Sequence, residues 1–178
     1  TGGPLNKLWT SPDGITWTER TVPVSSKWHD IFWNGFVFVL TGVNTVAYST
    51  DGINWTAGSG LSSGYQYYGI SWGNNIFVIG SSLQGAIWTS PNGVTWTQRS
   101  IPTTLGYYSG YPNAITYGAG LFVMTCQNGY ATSPDGITWT SRGSYPSLNF
   151  TYGGSKFVGS TLKTSTDGLT WTTIATGF

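Results

Sequence analysis

One cysteine among 178 residues cannot form an internal disulfide, and it cannot found a metal site built on thiolates. Cys126 is therefore read as a small core or loop residue rather than a nucleophile, since no basic partner stands at a recognisable spacing. Charge is equally scarce. Only 7% of the residues are charged, the net charge is +1, and no run of Lys or Arg occurs, so a nucleic-acid-binding patch is not expected. No apolar stretch approaches the roughly 18 residues of a membrane-spanning helix. No segment carries a helical apolar period with caps, so no helix is expected at all. No signal peptide is visible, and the chain opens Thr1-Gly2-Gly3 without an initiating Met. That opening suits a processed N-terminus or a piece of something longer.

Aromatic residues and glycine are what the chain has in plenty: ten Trp, eleven Tyr and 26 Gly. The aromatic share argues against disorder despite the low charge. The mixture suits many short strands joined by tight turns.

The tryptophans mark a repeat. Ser11-Pro12-Asp13-Gly14-Ile15-Thr16-Trp17 returns as Ser49-Thr50-Asp51-Gly52-Ile53-Asn54-Trp55 and as Ser90-Pro91-Asn92-Gly93-Val94-Thr95-Trp96. Two further copies are Ser133-Pro134-Asp135-Gly136-Ile137-Thr138-Trp139 and Ser165-Thr166-Asp167-Gly168-Leu169-Thr170-Trp171. The Asp/Asn positions lie 38, 41, 43 and 32 residues apart. Gly after Asp or Asn accepts a positive φ, the Asp or Asn oxygen can take backbone N–H groups, and Pro presets a turn φ. The following Ile-Thr-Trp-Thr alternation reads as an outer strand. Asp13, Asp51, Asn92, Asp135 and Asp167 are accordingly expected to be structural turn residues.

A second motif alternates with the first. It begins Phe32-Trp33-Asn34-Gly35, Ser71-Trp72-Gly73-Asn74, Thr116-Tyr117-Gly118-Ala119 and Thr151-Tyr152-Gly153-Gly154, and each copy runs on into a nearly continuous apolar segment such as Ile76–Ile79. This is a strand, a tight turn and a buried strand. A period of about 40 residues with two hairpins per period points to an all-β propeller of four-stranded blades. Five outer hairpins against four inner ones give a half blade at residues 4–22 and blades at 23–59, 60–100, 101–143 and 144–178. The ring would be five-bladed or completed by another chain, through self-association or a larger parent chain, because an open half blade leaves strand edges exposed.

The Ser-x-Asp-Gly-x-x-Trp turn resembles the Asp-box of sialidase-like (BNR-type) propellers. In that family the box joins the third and fourth strands of a blade, and it is a structural turn remote from the ligand face. The usual family form has one more residue between Asp and Gly, which are adjacent in all five copies here. The resemblance does not imply sialidase activity, which needs an arginine cluster. Arg20, Arg99 and Arg142 each stand three residues after a box Trp. Such positions recur on successive outer strands and do not converge.

Catalysis needs convergent titratable groups. Four of the six acidic residues belong to boxes, which leaves Glu19 and Asp30. These are read as lying in different connections, and a glycoside hydrolase using the two carboxylates is the least favoured reading. His29 beside Asp30 is read as a loop histidine next to the first inner strand. No catalytic residue, metal ligand or cofactor is assigned.

Binding is the remaining activity. The connections between blades are rich in Tyr, Ser and Gly, the composition of adaptable recognition loops. Candidate ligand-binding residues are Tyr65, Tyr67, Tyr68, Gln84, Tyr107, Tyr108, Tyr111, Gln127, Asn128 and Tyr145. Aromatic rings and amides with little charge suit neutral sugars. The expected function is a non-catalytic module that recognises a glycan or a protein surface, in an extracellular, virion or cell-surface setting. The alternative is a structural component of a virion, a phage tail or a large surface protein.

Overall fold

The computed structural model describes residues 6–81, 86–102, 114–126, 129–144 and 149–174. Every regular element among them is a strand. The order begins β1 (Lys7–Thr10), β2 (Thr18–Thr21), β3 (Trp28–Trp33), β4 (Phe38–Gly42), β5 (Val46–Ser49) and β6 (Thr56–Ala57). It continues β7 (Tyr67–Gly73), β8 (Ile76–Ser81), β9 (Ala86–Ser90), β10 (Thr97–Ser100), β11 (Ile115–Gly118) and β12 (Leu121–Cys126). The last six are β13 (Gly129–Ser133), β14 (Thr140–Ser141), β15 (Phe150–Gly153), β16 (Lys156–Gly159), β17 (Lys163–Ser165) and β18 (Thr172–Thr173). β1 and β2 form a two-stranded sheet, and the other strands fall, in chain order, into four antiparallel four-stranded sheets. The fold is a β-propeller arc of one half blade and four full blades.

Two kinds of turn build each blade. The first connects the inner pair, and in three blades it has two residues with positive φ: Asn74-Asn75, Ala119-Gly120 and Gly154-Ser155. Such turns match the twist of the strands they join. The second is the Ser-x-Asp/Asn-Gly turn, called the box below. Asp13 Oδ1 accepts the N–H groups of Ile15 and Thr16 at 2.8 and 2.7 Å and the Ser11 hydroxyl at 2.9 Å. Ser11 Oγ in turn accepts the Gly14 N–H at 2.8 Å. The same set recurs at Asp51, Asn92, Asp135 and Asp167. One side-chain oxygen thus satisfies amides that a long turn would otherwise leave without partners. The Ile-Thr-Trp segment belongs to this turn, not to the outer strand as its alternation suggests. The fourth strand starts only after the Trp and runs two to four residues.

Packing within a blade follows from register. Trp33 lies opposite Phe38, Trp72 opposite Phe77, Tyr117 opposite Phe122 and Tyr152 opposite Phe157. Ring centroids in these pairs are 4.2–4.8 Å apart. Each Phe then meets the box Trp of its own blade at 6.2–6.4 Å. Every full blade therefore carries an aromatic triplet, and the half blade holds only its third member, Trp17.

Packing between blades follows from the absence of side chains at set places. A Cβ on Gly73 would lie 2.1 Å from the Tyr117 ring, and one on Gly118 would lie 2.1 Å from the Tyr152 ring. Each glycine is a seat for the first aromatic of the next blade. The box glycines serve the same end. Gly93, Gly136 and Gly168 each abut the second-strand valine of the blade before, Val39, Val78 and Val123, where a Cβ would stand 2.6–2.9 Å from a valine methyl. All three valines are fully buried. Inner strands β3, β7, β11 and β15 pack neighbour to neighbour, and no comparable packing returns β15 to β3 among the described residues.

Candidate functional site

The rim that carries the blade-to-blade connections is where His29 and Asp30 open β3 and Tyr67 and Tyr68 open β7. Both acidic candidates lie in strands, not in connections: Glu19 is in β2 and Asp30 in β3. Their strands belong to different sheets, and Glu19 is ion-paired with Lys7 across β1–β2. His29 likewise belongs to a strand, because the β3–β4 ladder extends to Trp28 through an irregularity between Trp28 and Asp30.

The adjacency of β3 and β7 makes a small constellation. The His29 ring stacks on Tyr68 with centroids 4.3 Å apart and planes 12° from parallel. His29 Nδ1 stands 2.9 Å from the Tyr67 carbonyl oxygen. A carbonyl can only accept, so Nδ1 carries the proton and Nε2 of the neutral ring is the acceptor. The Tyr68 hydroxyl donates to Gln66 Oε1 at 2.6 Å, and the Thr41 hydroxyl donates to the Tyr68 carbonyl at 2.7 Å. Asp30 turns to the backbone, accepting Ile31 N–H at 2.8 Å and Ile70 N–H at 3.2 Å. Partial burial raises its pKa above the ordinary carboxylate value, against the pull of those two N–H donors.

Beside this stack lies a cavity of about 360 Å³ lined by Ser25, Ser26, Lys27, Val43 and Gln66. Its floor is rigid. Ser26 Oγ accepts the Val43 N–H at 2.9 Å and donates to the Val43 carbonyl at 3.0 Å. Asn44 holds a positive φ of 61° and accepts the Gly64 N–H at 2.6 Å. This ties the β4–β5 turn to the loop that leads into β7.

The three described tyrosines among the candidates have separate fates. Tyr67 is fully buried, donates its hydroxyl to the Ser62 carbonyl at 2.8 Å and meets Trp88 edge-on at 5.0 Å. Burial pushes its phenol up to about 12. Tyr67 is a core residue and not part of a ligand surface. Tyr65 is half-buried against Trp88 at 4.8 Å. Tyr68 is half-buried under exposed His29. Gln84, Tyr107, Tyr108, Tyr111, Gln127, Asn128 and Tyr145 lie outside the described residues.

The arginines do not converge. Arg20, Arg99 and Arg142 each donate Nε to a threonine on the neighbouring third strand of their own blade, at 3.0, 3.2 and 2.8 Å. No group of three or more His, Cys, Asp or Glu stands together among the described residues. No helix there is long and apolar enough to cross a membrane. Sequence reasoning missed His29 as the partner of Tyr68, and missed Ser25 and Lys27 as cavity walls. No local signal could have supplied them, because 38 residues separate His29 from the strand it touches.

Comparison with known proteins agrees with this architecture. No family model matches the chain, and no curated protein matches it. Solved β-propellers do. The virginiamycin B lyase of Staphylococcus aureus is similar at 20% identity and a TM-score of 0.73, over 96% of this chain and 64% of that one. A streptogramin B lyase structure matches at 17% identity and a TM-score of 0.75, over 97% and 63%. YCF48 bound to a D1 peptide matches at 22% identity and a TM-score of 0.63, over 85% and 56%. At these identities the likeness is one of fold. The chain spans less than two thirds of the length of each.

Proposed function

We propose that this chain is a non-catalytic binding propeller of the Asp-box repeat type, taking a neutral, hydroxyl-rich ligand such as a glycan at the His29–Tyr68 rim. One observation carries the reading. An aromatic stack with His29 exposed stands beside a cavity where Ser25, Ser26, Lys27 and Gln66 place polar groups next to an apolar wall that includes Val43, on a braced floor. A sugar ring presents a C–H face that suits an aromatic plane and hydroxyls that suit amides. The low charge of the chain suits an uncharged partner better than an anionic one. A protein surface is the other partner this rim would accept. Presentation outside the cell, or on a virion, fits a glycan-reading module. A structural role in a large surface assembly would use the same rim as a packing face.

A broad glycan array followed by titration calorimetry tests the reading. Binding should fall at least about tenfold in Tyr68→Ala and His29→Ala, the loss expected for a central aromatic contact. Blank arrays together with no cell-surface binding at high protein concentration would refute it.

The geometry of His29 favours a second reading. A ring held by its Nδ1–H keeps Nε2 as the acceptor nitrogen, the atom a general base would use. The virginiamycin B lyase is an enzyme by name, and its histidine-to-alanine variant, solved with quinupristin, is described as catalytically inactive. Under this reading quinupristin itself would be converted in a His29-dependent manner. Product detection by mass spectrometry separates it from simple binding.

A further inference from the structure

The half blade is incomplete in one consistent way. Trp17 lacks the Phe that every other box Trp packs against, and it is 56% exposed where Trp55, Trp96 and Trp139 are 9%, 3% and 6%. The three atoms nearest a Cβ built on Gly52 all belong to its own blade's Phe38, at 3.5–3.9 Å, although the later box glycines each abut a valine of the blade before. On β3, Ile31 and Trp33 are 50% and 43% exposed, whereas Ile70 and Ile115, at the place of Ile31, are 4% and 7%. On β1, Trp9 stands where β9 has Trp88, and the two are 56% and 0% exposed. β1 pairs only with β2 among the described residues, so its inner edge presents open backbone groups.

These vacancies name their occupant. Trp17 needs a Phe, Gly52 needs a Val, Trp33 needs a glycine seat, and the β1 edge needs a strand. We propose that the half blade is a docking site for a two-stranded β-hairpin of the chain's own inner type. Its first strand carries an aromatic-glycine pair and its second a Phe-Val pair, as in Tyr117-Gly118 and Phe122-Val123. The second strand of the hairpin pairs with β1. The blade-to-blade contact already made three times in this chain supplies the register. Blade four shows the mirror of the same need. No atom comes within 4 Å of a Cβ built on Gly153, and Val158 is 39% exposed where Val39, Val78 and Val123 are fully buried. A second whole copy does not supply such a hairpin, because the second strand of each of its inner pairs is already bonded to the third strand of its own blade and cannot also pair with β1.

The test titrates the full chain with a synthetic peptide of residues 114–125, which contains no Trp, so that indole emission reports the protein alone. Saturable one-to-one binding with a blue shift is expected as Trp9, Trp17 and Trp33 leave water. It should weaken at least about tenfold in Trp17→Ala and in a peptide carrying Phe122→Ala, as loss of a buried aromatic anchor does. Isolated hairpins are marginal in water. The same segment tethered ahead of Thr1 by a flexible linker provides a second reading, with an expected rise of at least about 5 °C in the unfolding midpoint. The proposal is overturned if neither form has an effect, or if Trp17→Ala leaves the binding unchanged. It is also overturned if the chain alone is a dimer whose indole emission shifts red on dilution, since a second copy would then cover the face.

Discussion

The middle blades and the ends of the arc use the same residues to different effect. Trp96 and Trp17 fill the same place in the repeat, as do Trp88 and Trp9, or Val78 and Val158. In each pair the first is buried and the second is open to solvent. The backbone turns are equally well formed in both regions, since the box bonds of Asp13 match those of Asp135 in length. Local chemistry therefore builds the hairpins, while burial is conferred by the neighbouring blade. Repeat proteins behave this way, with each unit stabilised by its interfaces.

The largest contrast should appear at the box tryptophans. Trp96→Ala removes a buried ring and is expected to destabilise the chain by about 3–5 kcal/mol, whereas Trp17→Ala should change stability by no more than about 0.5 kcal/mol. Guanidinium unfolding of both variants checks this. A large effect at Trp17 would show that the half blade is already covered in solution.

The glycine seats come next. Gly118→Val drives a side chain into the Tyr152 ring and is expected to cost about 1–3 kcal/mol. Gly153→Val meets open space on ordinary strand backbone, so its cost should stay within about 0.5 kcal/mol. Thermal unfolding of the pair sharpens the comparison, because the two substitutions differ only in whether a next blade is present. Truncating the valines gives a smaller version of the same test. Val78→Ala should cost about 1–2 kcal/mol and Val158→Ala less than half of that.

The response to acid should show no such contrast. The N–H donors of Thr16 and Ile15 hold Asp13 down to about 2. Those of Thr170 and Leu169 hold Asp167 there too. Burial pulls Asp135 up, but its amide donors outweigh it and leave it at about 2. Asp51 lies below its ordinary value as well, chiefly through Asn54. A carboxylate depressed in the folded state stabilises above its unfolded pKa, and that contribution is lost as pH falls through the folded value. The unfolding midpoint should therefore fall between about pH 4 and pH 2. Asn92 makes the same bonds without titrating. Asp13→Asn and Asp135→Asn should thus flatten the acid limb equally, end and middle alike. An unequal response would show that blade context reaches the turn after all.

Much of this architecture was legible in the sequence, for a physical reason. The boxes and inner hairpins are held by contacts a few residues apart, so their chemistry is written locally. The shortfall of one inner hairpin could be counted from the residues, and its consequence is visible at Trp17 and Ile31. The candidate site was less legible. Tyr67 and Tyr68 are adjacent in a strand and point to opposite faces, so one enters the core beside Trp88 and the other meets His29. Which face is core depends on the neighbouring blade, and no local pattern records that. The Ile-Thr-Trp segment misled for a related reason: its alternation is real, but the box oxygen captures its amides before a ladder can form.

The box oxygens also bear on how fast a partner could be found. Four of the six acidic side chains are fixed at outer turns, engaged with their own backbone, and the net charge over the whole chain is +1. Such a molecule projects little field beyond its surface. Association at its rim then proceeds without electrostatic steering, at about 10⁵–10⁶ M⁻¹s⁻¹, and at a rate that added salt leaves nearly unchanged.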